Sequence, residues 1–237
     1  MPQLRHLIFF DSILPMPFAA IQNLQTLCGV KNFTFKRKAI EMFPNLKKLK
    51  VFYHGKSREK WAKYCLYNLV HLTQLETLEV RFSCLSISEE TPFPASFALP
   101  PKLKKLTVSG CTLPWQDMAV IGSLLDLEVL KLEYDCFTGS EWESSEGQFP
   151  RLKFLLMEGL RLVCWRAESS HFPCLEQLII KCCRQLEEIP CEIGDIPSLQ
   201  LIEVDRVKKS VIDSAVLIQE EQRSLENDLL HVRINSE

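Results

Sequence analysis

The pattern L-x-x-L-x-L recurs nine times along this chain. Its copies begin at Leu4, Leu24, Leu46, Leu75, Leu103, Leu127, Leu152, Leu175 and Leu199, separated by 20, 22, 29, 28, 24, 25, 23 and 24 residues. No other feature restricts the fold as strongly. The alternation writes a short strand whose every second side chain points to one face. Strands that return at this interval are joined by connections long enough for parallel pairing. The leucines of successive copies then stack into one continuous core, each copy buried by its neighbours. The second copy, "LQTLCG", is degenerate, with Gly29 where the third apolar residue is expected. Many copies are preceded by an apolar residue, a proline and one variable residue: Phe43-Pro44, Phe149-Pro150, Phe172-Pro173 and Ile196-Pro197, with Pro100-Pro101 as a variant. Proline cannot donate a ladder hydrogen bond and suits the start of a strand. The phenylalanines predict an aromatic column along the core.

This period is that of leucine-rich repeats. The predicted fold is α/β: a leucine-rich-repeat solenoid, a curved horseshoe with parallel strands on its concave face and irregular loops and short helices on its convex face. It is expected to fill residues 1–209 as about nine irregular repeats, with residues 210–237 as a C-terminal helical cap and tail. Ser210 and Asp213 form a capping-box-like start to that tail. Apolar residues at 211, 215, 218, 225 and 229 share one helical face, and Leu230, Val232 and Ile234 alternate like a strand. Helical spacing also marks "WAKYCLYNLVHL", residues 61–72. Only three residues precede Leu4, so Leu4, Leu7 and Phe9 would lack a repeat packed outside them. The chain is therefore expected to be a fragment or truncated relative of a longer protein.

Ten cysteines and five histidines raise the question of metal chemistry, above all in "HFPCLEQLIIKCCRQLEEIPC", residues 171–191. Zinc favours close ligand pairs such as C-x₂-C, and this stretch has none. The repeat offers a simpler role. Its eighth position after the leading leucine takes a buried Asn or Cys bonded to the turn backbone. Cys111 and Cys183 stand there, and Cys84 and Cys136 come one residue later. No metal is expected. The N-terminus lacks a convincing secretory signal, since Asp11 interrupts its short apolar run. The thiols are then expected to be reduced, as in the cytoplasm. "HGKS", residues 54–57, would need a glycine at position 50 to complete a phosphate loop, and Lys50 stands there. The histidines are dispersed and no nucleophile motif accompanies them. The chain is read as no enzyme and as carrying no cofactor. No apolar run reaches the ~20 residues of a membrane span.

The irregular period, the "FPxLKxLxL" starts and "LEEIPCEIGDIPSLQLIEV" (186–204) resemble plant intracellular immune receptors of the coiled-coil, nucleotide-binding, leucine-rich-repeat class. The ending "VIDSAVLIQEEQRSLENDLLHVRI" (211–234) is similar to tails of the solanaceous late-blight-resistance type. The resemblance covers the whole chain but only the repeat region of such a receptor, so no nucleotide chemistry is carried over. It implies a non-catalytic, cytoplasmic protein-binding module of plant defence. Its implied partners are the nucleotide-binding switch domain of a parent or related receptor, which it would hold inactive, and a pathogen effector or guarded host protein. Two alternatives stand beside it. An extracellular receptor ectodomain would show a regular L-x-G-x-I-P repeat, which only residues 189–194 approach. A ubiquitin-ligase substrate adaptor would carry an F-box-like segment, and none precedes Leu4.

Partners are expected on the concave face, where the non-leucine strand positions point. Lys47, Lys48, Lys50, Lys104 and Lys105 make its early part basic. Glu128, Lys131, Glu133, Glu176, Lys181, Glu203 and Asp205 make the later part mixed. Residues 31–63 hold eleven Lys and Arg against two Glu, a candidate dock for an acidic protein surface; in the resembled receptors the switch domain packs against the early repeats. Phe154, Leu156, Ile179 and Leu201 are predicted outward as an apolar contact surface. The net charge of −2, with no basic stripe interleaved with aromatics, argues against nucleic acid.

Overall fold

The computed structural model describes residues 3–14, 20–55, 64–84 and 98–235. The chain divides into two compact units, Met1–Cys111 and Thr112–Glu237. Each is α/β, with a parallel sheet and short helical turns between its strands. In the first unit β1 (His6–Ser12), β2 (Thr26–Lys31), β3 (Lys48–Gly55), β4 (Thr77–Cys84) and β5 (Lys105–Ser109) pair in chain order, all parallel. The short helix α1 (Arg37–Ile40) lies between β2 and β3. Register places Leu27, Leu49, Leu78 and Leu106 in one row across the sheet, and Val30, Val51, Val80 and Val108 in a second. Every member of both rows is at most 1% exposed. Leu4, Leu7 and Phe9 are only half-buried.

The second unit holds β6 (Leu113–Pro114), α2 (Met118–Gly122), β7 (Val129–Glu133), β8 (Phe137–Thr138), β9 (Glu141–Glu143), β10 (Phe154–Glu158), β11 (Cys164–Arg166), β12 (Gln177–Lys181), β13 (Leu201–Asp205), α3 (Lys209–Ser224) and β14 (His231–Asn235). Its main sheet runs β7-β10-β12-β13-β14, parallel and without a register shift. Leu130, Leu155, Leu178 and Ile202 form one inward row and Leu132, Met157, Ile180 and Val204 the next, all 0% exposed. Behind the strands run two small parallel ribbons, β6 with β8 and β9 with β11.

The apolar-Pro-x-Leu motif has a sharper role than a strand start. From Leu24 to Leu199, each leading leucine donates its N–H to the carbonyl three residues earlier, at 2.9–3.4 Å. The motif is thus a β-turn with proline at its second position, where a fixed φ is preorganised. The turn aims the leucine inward, and all eight of these leucines are at most 2% exposed. The expected aromatic column forms where Phe149 and Phe172 stack at 5.1 Å and 13°. A second column was not anticipated. Trp115, Trp142 and Trp165 stack at 5.3 and 5.4 Å, with interplanar angles of 11° and 7°.

Four local expectations are corrected. Gly29 does not leave a hole in the second copy. A bulge between Leu27 and Val30 shifts the register by one residue, and Val30 fills the third apolar place. Gly29 takes φ +76° there, a conformation that costs glycine nothing. Residues 64–72 do not form one α-helix. Cys65 has φ +55°, which interrupts any helix, and Leu66–His71 is a 3₁₀ turn burying Leu66 and Leu69. Trp61 lies outside the described residues. In the tail, α3 starts at Lys209 after Lys208, so no capping box forms at Ser210. Val211, Ala215 and Ile218 are buried as expected, but the helix ends at Ser224. That leaves Leu225 and Leu229 70% and 68% exposed, and puts Gln222 on the buried face instead. α3 packs so closely on the turn at Cys191–Asp195 that a Cβ on Gly194 would lie 2.8 Å from Ile218 Cγ2.

Candidate functional site

Each sheet buries one face in leucine and valine and turns the other outward. On the outward face of the first unit, register sets Lys48 beside Thr77 and Lys105 beyond it, then Lys50 beside Glu79 and Thr107, then Phe52 beside Arg81 and Ser109. Two carboxylates, Glu76 and Glu79, offset only part of the basic patch anticipated here. Lys50 Nζ lies 2.5 Å from Glu79 Oε2, and Arg81 Nε 2.8 Å from Glu79 Oε1. Burial pushes the Glu79 carboxyl up, but hydrogen bonds from Arg81 and Lys50 outweigh it and hold the carboxyl below its ordinary range. Lys47 and Lys104 bracket Glu76 at 3.4 and 3.7 Å. Lys48 and Lys105 are exposed and have no ion pair among the described residues. Lys56, Arg58, Lys60 and Lys63 of the same basic tract lie outside those residues.

On the outward face of the second unit, three rows cross five strands. Val129, Phe154, Gln177, Leu201 and His231 form the first; Lys131, Leu156, Ile179, Glu203 and Arg233 the second; Glu133, Glu158, Lys181, Asp205 and Asn235 the third. Phe154, Leu156, Ile179 and Leu201 lie on the face opposite the inward rows, but none of them is exposed. Leu156 and Ile179 are 9% and 6% exposed, because they sit side by side in mid-sheet with Lys131 and Glu203 flanking them. Val129, Phe154 and Leu201 are half-buried above them. Lys131 Nζ stands 5.7 Å from the Phe154 ring centroid, a cation–π distance.

Glu203, 7% exposed, anchors the charged side of this face. Lys181 Nζ lies 2.7 Å from its Oε1, Arg233 Nη1 3.2 Å from its Oε2, and Asn235 Nδ2 donates to Oε1 at 3.3 Å. The hydrogen bond from Lys181 chiefly holds the Glu203 carboxyl below its ordinary range, against burial, with Arg233 adding to it. A carboxyl lowered by folding stabilises the fold above its unfolded pKa and loses that contribution as pH falls through the folded one. Glu203→Gln is therefore expected to flatten the acid limb of stability below about pH 5. Chemical denaturation at stepwise pH reads this directly, and an unchanged acid limb would mean the triad contributes nothing.

Two of the cysteines behave as repeat-position residues. Cys111 and Cys183 are buried, and their Sγ atoms contact the carbonyls of Ser109 at 3.6 Å and of Lys181 and Met157 at 3.4 and 3.5 Å. Burial pushes the Cys183 thiol up to about 11 and Cys111 higher still, so both remain protonated at neutral pH. Cys136 is equally buried, and Cys191 is exposed.

No family model matches the chain. It is 34% identical over 234 residues to the late blight resistance protein R1-A of Solanum demissum, covering 94% of this chain and 17% of that protein. It is 45% identical over 152 residues to the late blight resistance homologue R1B-13 of the same plant, covering 63% of this chain and 13% of the relative. With the homologue R1B-23, also of Solanum demissum, it shares 40% over 156 residues, or 64% and 12% of the two chains. The chain thus spans a small part of the length of the curated relatives it matches. Among the described residues no helix is long and apolar enough to cross a membrane. A match at this identity over nearly its whole length makes the chain a member of the late-blight-resistance family of plant disease-resistance proteins, related to one segment of those longer proteins.

Proposed function

We propose that the chain is a leucine-rich-repeat solenoid that acts without catalysis, binding proteins within a cytoplasmic immune receptor of plants. The observation that carries this reading is the second unit's outward face, where half-buried Val129, Phe154 and Leu201 sit above the paired charges of Lys181, Glu203 and Arg233. Apolar side chains ringed by satisfied polar groups are the anatomy of a protein contact. The relatives are named for disease resistance, which supports placing such a contact in defence. One partner is a nucleotide-binding switch domain held inactive by this module, and another is a pathogen effector or the host protein it alters. In the first unit Lys48 and Lys105 carry the free positive charge for an acidic partner, while Lys47, Lys50 and Lys104 are already engaged.

The test is association with the remaining segments of a late-blight-resistance relative, co-expressed as a separate chain. Phe154→Glu with Leu201→Glu is expected to weaken association at least tenfold. Lys48→Glu with Lys105→Glu is expected to weaken it several-fold at low salt and less at high salt. Association that neither pair alters would exclude the outward faces as the contact.

A further inference from the structure

β14 ends the order of its sheet, and among the described residues it pairs with β13 alone. The His231 N–H donates to the Gln200 carbonyl at 2.8 Å, toward β13. Alternation along the strand then turns the N–H and C=O of Val232 and Ile234 to the open side, where they form a template for another strand. Side chains on this edge are uncovered too. Ile234 continues the inward row of Leu132, Met157, Ile180 and Val204, which are all 0% exposed, yet it is itself 41% exposed. Val232 is half-buried beside the fully buried Ile202. Leu229, just before the strand, is exposed. Open edges are commonly blunted by a bulge, a proline or an inward charge. β14 has none of these: its register against β13 is unbroken, it lacks proline, and its inward positions are Val232 and Ile234. β1, by contrast, shifts register between Ile8 and Ser12.

The strand already paired with β14 shows what chemistry suits it. β13 sets Ile202 beside Val232, Glu203 beside Arg233 and Val204 beside Ile234. Charge alternates along the middle outward row, from Lys181 to Glu203 to Arg233. The Arg233 guanidinium meets Glu203 through Nη1, and its side chain stays 62% exposed. Its other N–H groups suit a second carboxylate on the open side. A second copy of this chain fits less well. Antiparallel self-pairing centred on Arg233 or on Val232 sets Arg233 against its own copy or against His231, and like charges opposite each other destabilise a strand pair. Centring on Ile234 avoids this but overlaps only residues 233–235. We propose that the open edge of β14 takes up an extended segment of another polypeptide as an added parallel strand. That segment places a carboxylate opposite Arg233 and aliphatic side chains opposite Val232 and Ile234. This contact is separate from the outward face and does not rest on it.

Titration of the full chain with acetyl-Gln-Leu-Ile-Glu-Val-Asp-amide, the sequence of residues 200–205, tests this. Calorimetry is expected to show saturable one-to-one binding, and amide exchange at Val232 and Ile234 to slow at least tenfold. In parallel register the N–H of the peptide's glutamate faces β14 and that of its valine faces away. N-methylation at the glutamate is therefore expected to weaken binding at least tenfold, and at the valine less than threefold. Ile234→Lys is expected to weaken it at least tenfold, whereas Leu125→Lys, at another exposed apolar residue of the same unit, leaves affinity within twofold. The two methylated peptides decide the matter even if Ile234→Lys fails to fold. No saturable binding, or equal losses from both methylations, would overturn the proposal. Protection of Val232 and Ile234 that grows with chain concentration in the absence of peptide would assign the edge to a second copy and overturn it as well. None of these results depends on Phe154 or Leu201, which test the outward face.

Discussion

Replacing Trp142 by alanine is expected to destabilise the second unit by about 3–5 kcal/mol, the cost of emptying a large aromatic site. The indole is 1% exposed and lies between Trp115 and Trp165 in the stack. Phe149 and Phe172 meet it edge-on, at 6.4 and 6.1 Å. Its removal therefore opens both aromatic columns at the point where they touch. Trp142 pairs with Trp165 in the β9–β11 ribbon, so the ribbon loosens with it. The indole N–H has no partner among the described residues, so its loss forfeits packing and no hydrogen bond. Trp142→Phe is accordingly expected to cost much less, about 1–2 kcal/mol. Guanidinium unfolding followed by circular dichroism separates the two variants. Equal costs for Phe and Ala would show that the stack is loosely packed.

The inward half of this fold was legible because a strand's period of two leaves a visible trace. Each L-x-x-L-x-L copy with the regular spacing placed its leucines inside, and the eighth-position cysteines followed. The outward half was not legible to the same degree, because charge pairing depends on which strands lie side by side. Lys50 meets Glu79 only because β3 and β4 are in register, and Glu76 reaches lysines on both sides of it. Counting lysines along the chain therefore overstated the free positive charge. The tryptophan stack did leave a signal, since Trp115, Trp142 and Trp165 recur at 27 and 23 residues, the interval of the repeat itself. Helical spacing at 61–72 misled because it says nothing of a single positive φ, at Cys65.

Gly29→Ala is expected to be as damaging to the first unit as a core truncation. Two costs combine. At φ +76° a side chain is strained, which costs about 1–3 kcal/mol. The new Cβ would also fall 1.8 Å from the Phe9 carbonyl oxygen and 2.7 Å from its carbon. Backbone cannot yield as a flexible side chain does, so β1 must move, at about 1–3 kcal/mol more. The sum is about 2–6 kcal/mol, with β1 released while the rows from Leu49 to Leu106 persist. Gly147→Ala isolates the first cost, because its φ is +78° and a Cβ there meets nothing within 4 Å. Amide exchange is the decisive measurement. Protection is expected to vanish across His6–Ser12 in Gly29→Ala and to survive in Lys48–Gly55. If the two glycine variants cost the same and β1 keeps its protection, the strand tolerates displacement, and the bulge in β2 serves only to bring Val30 into the core.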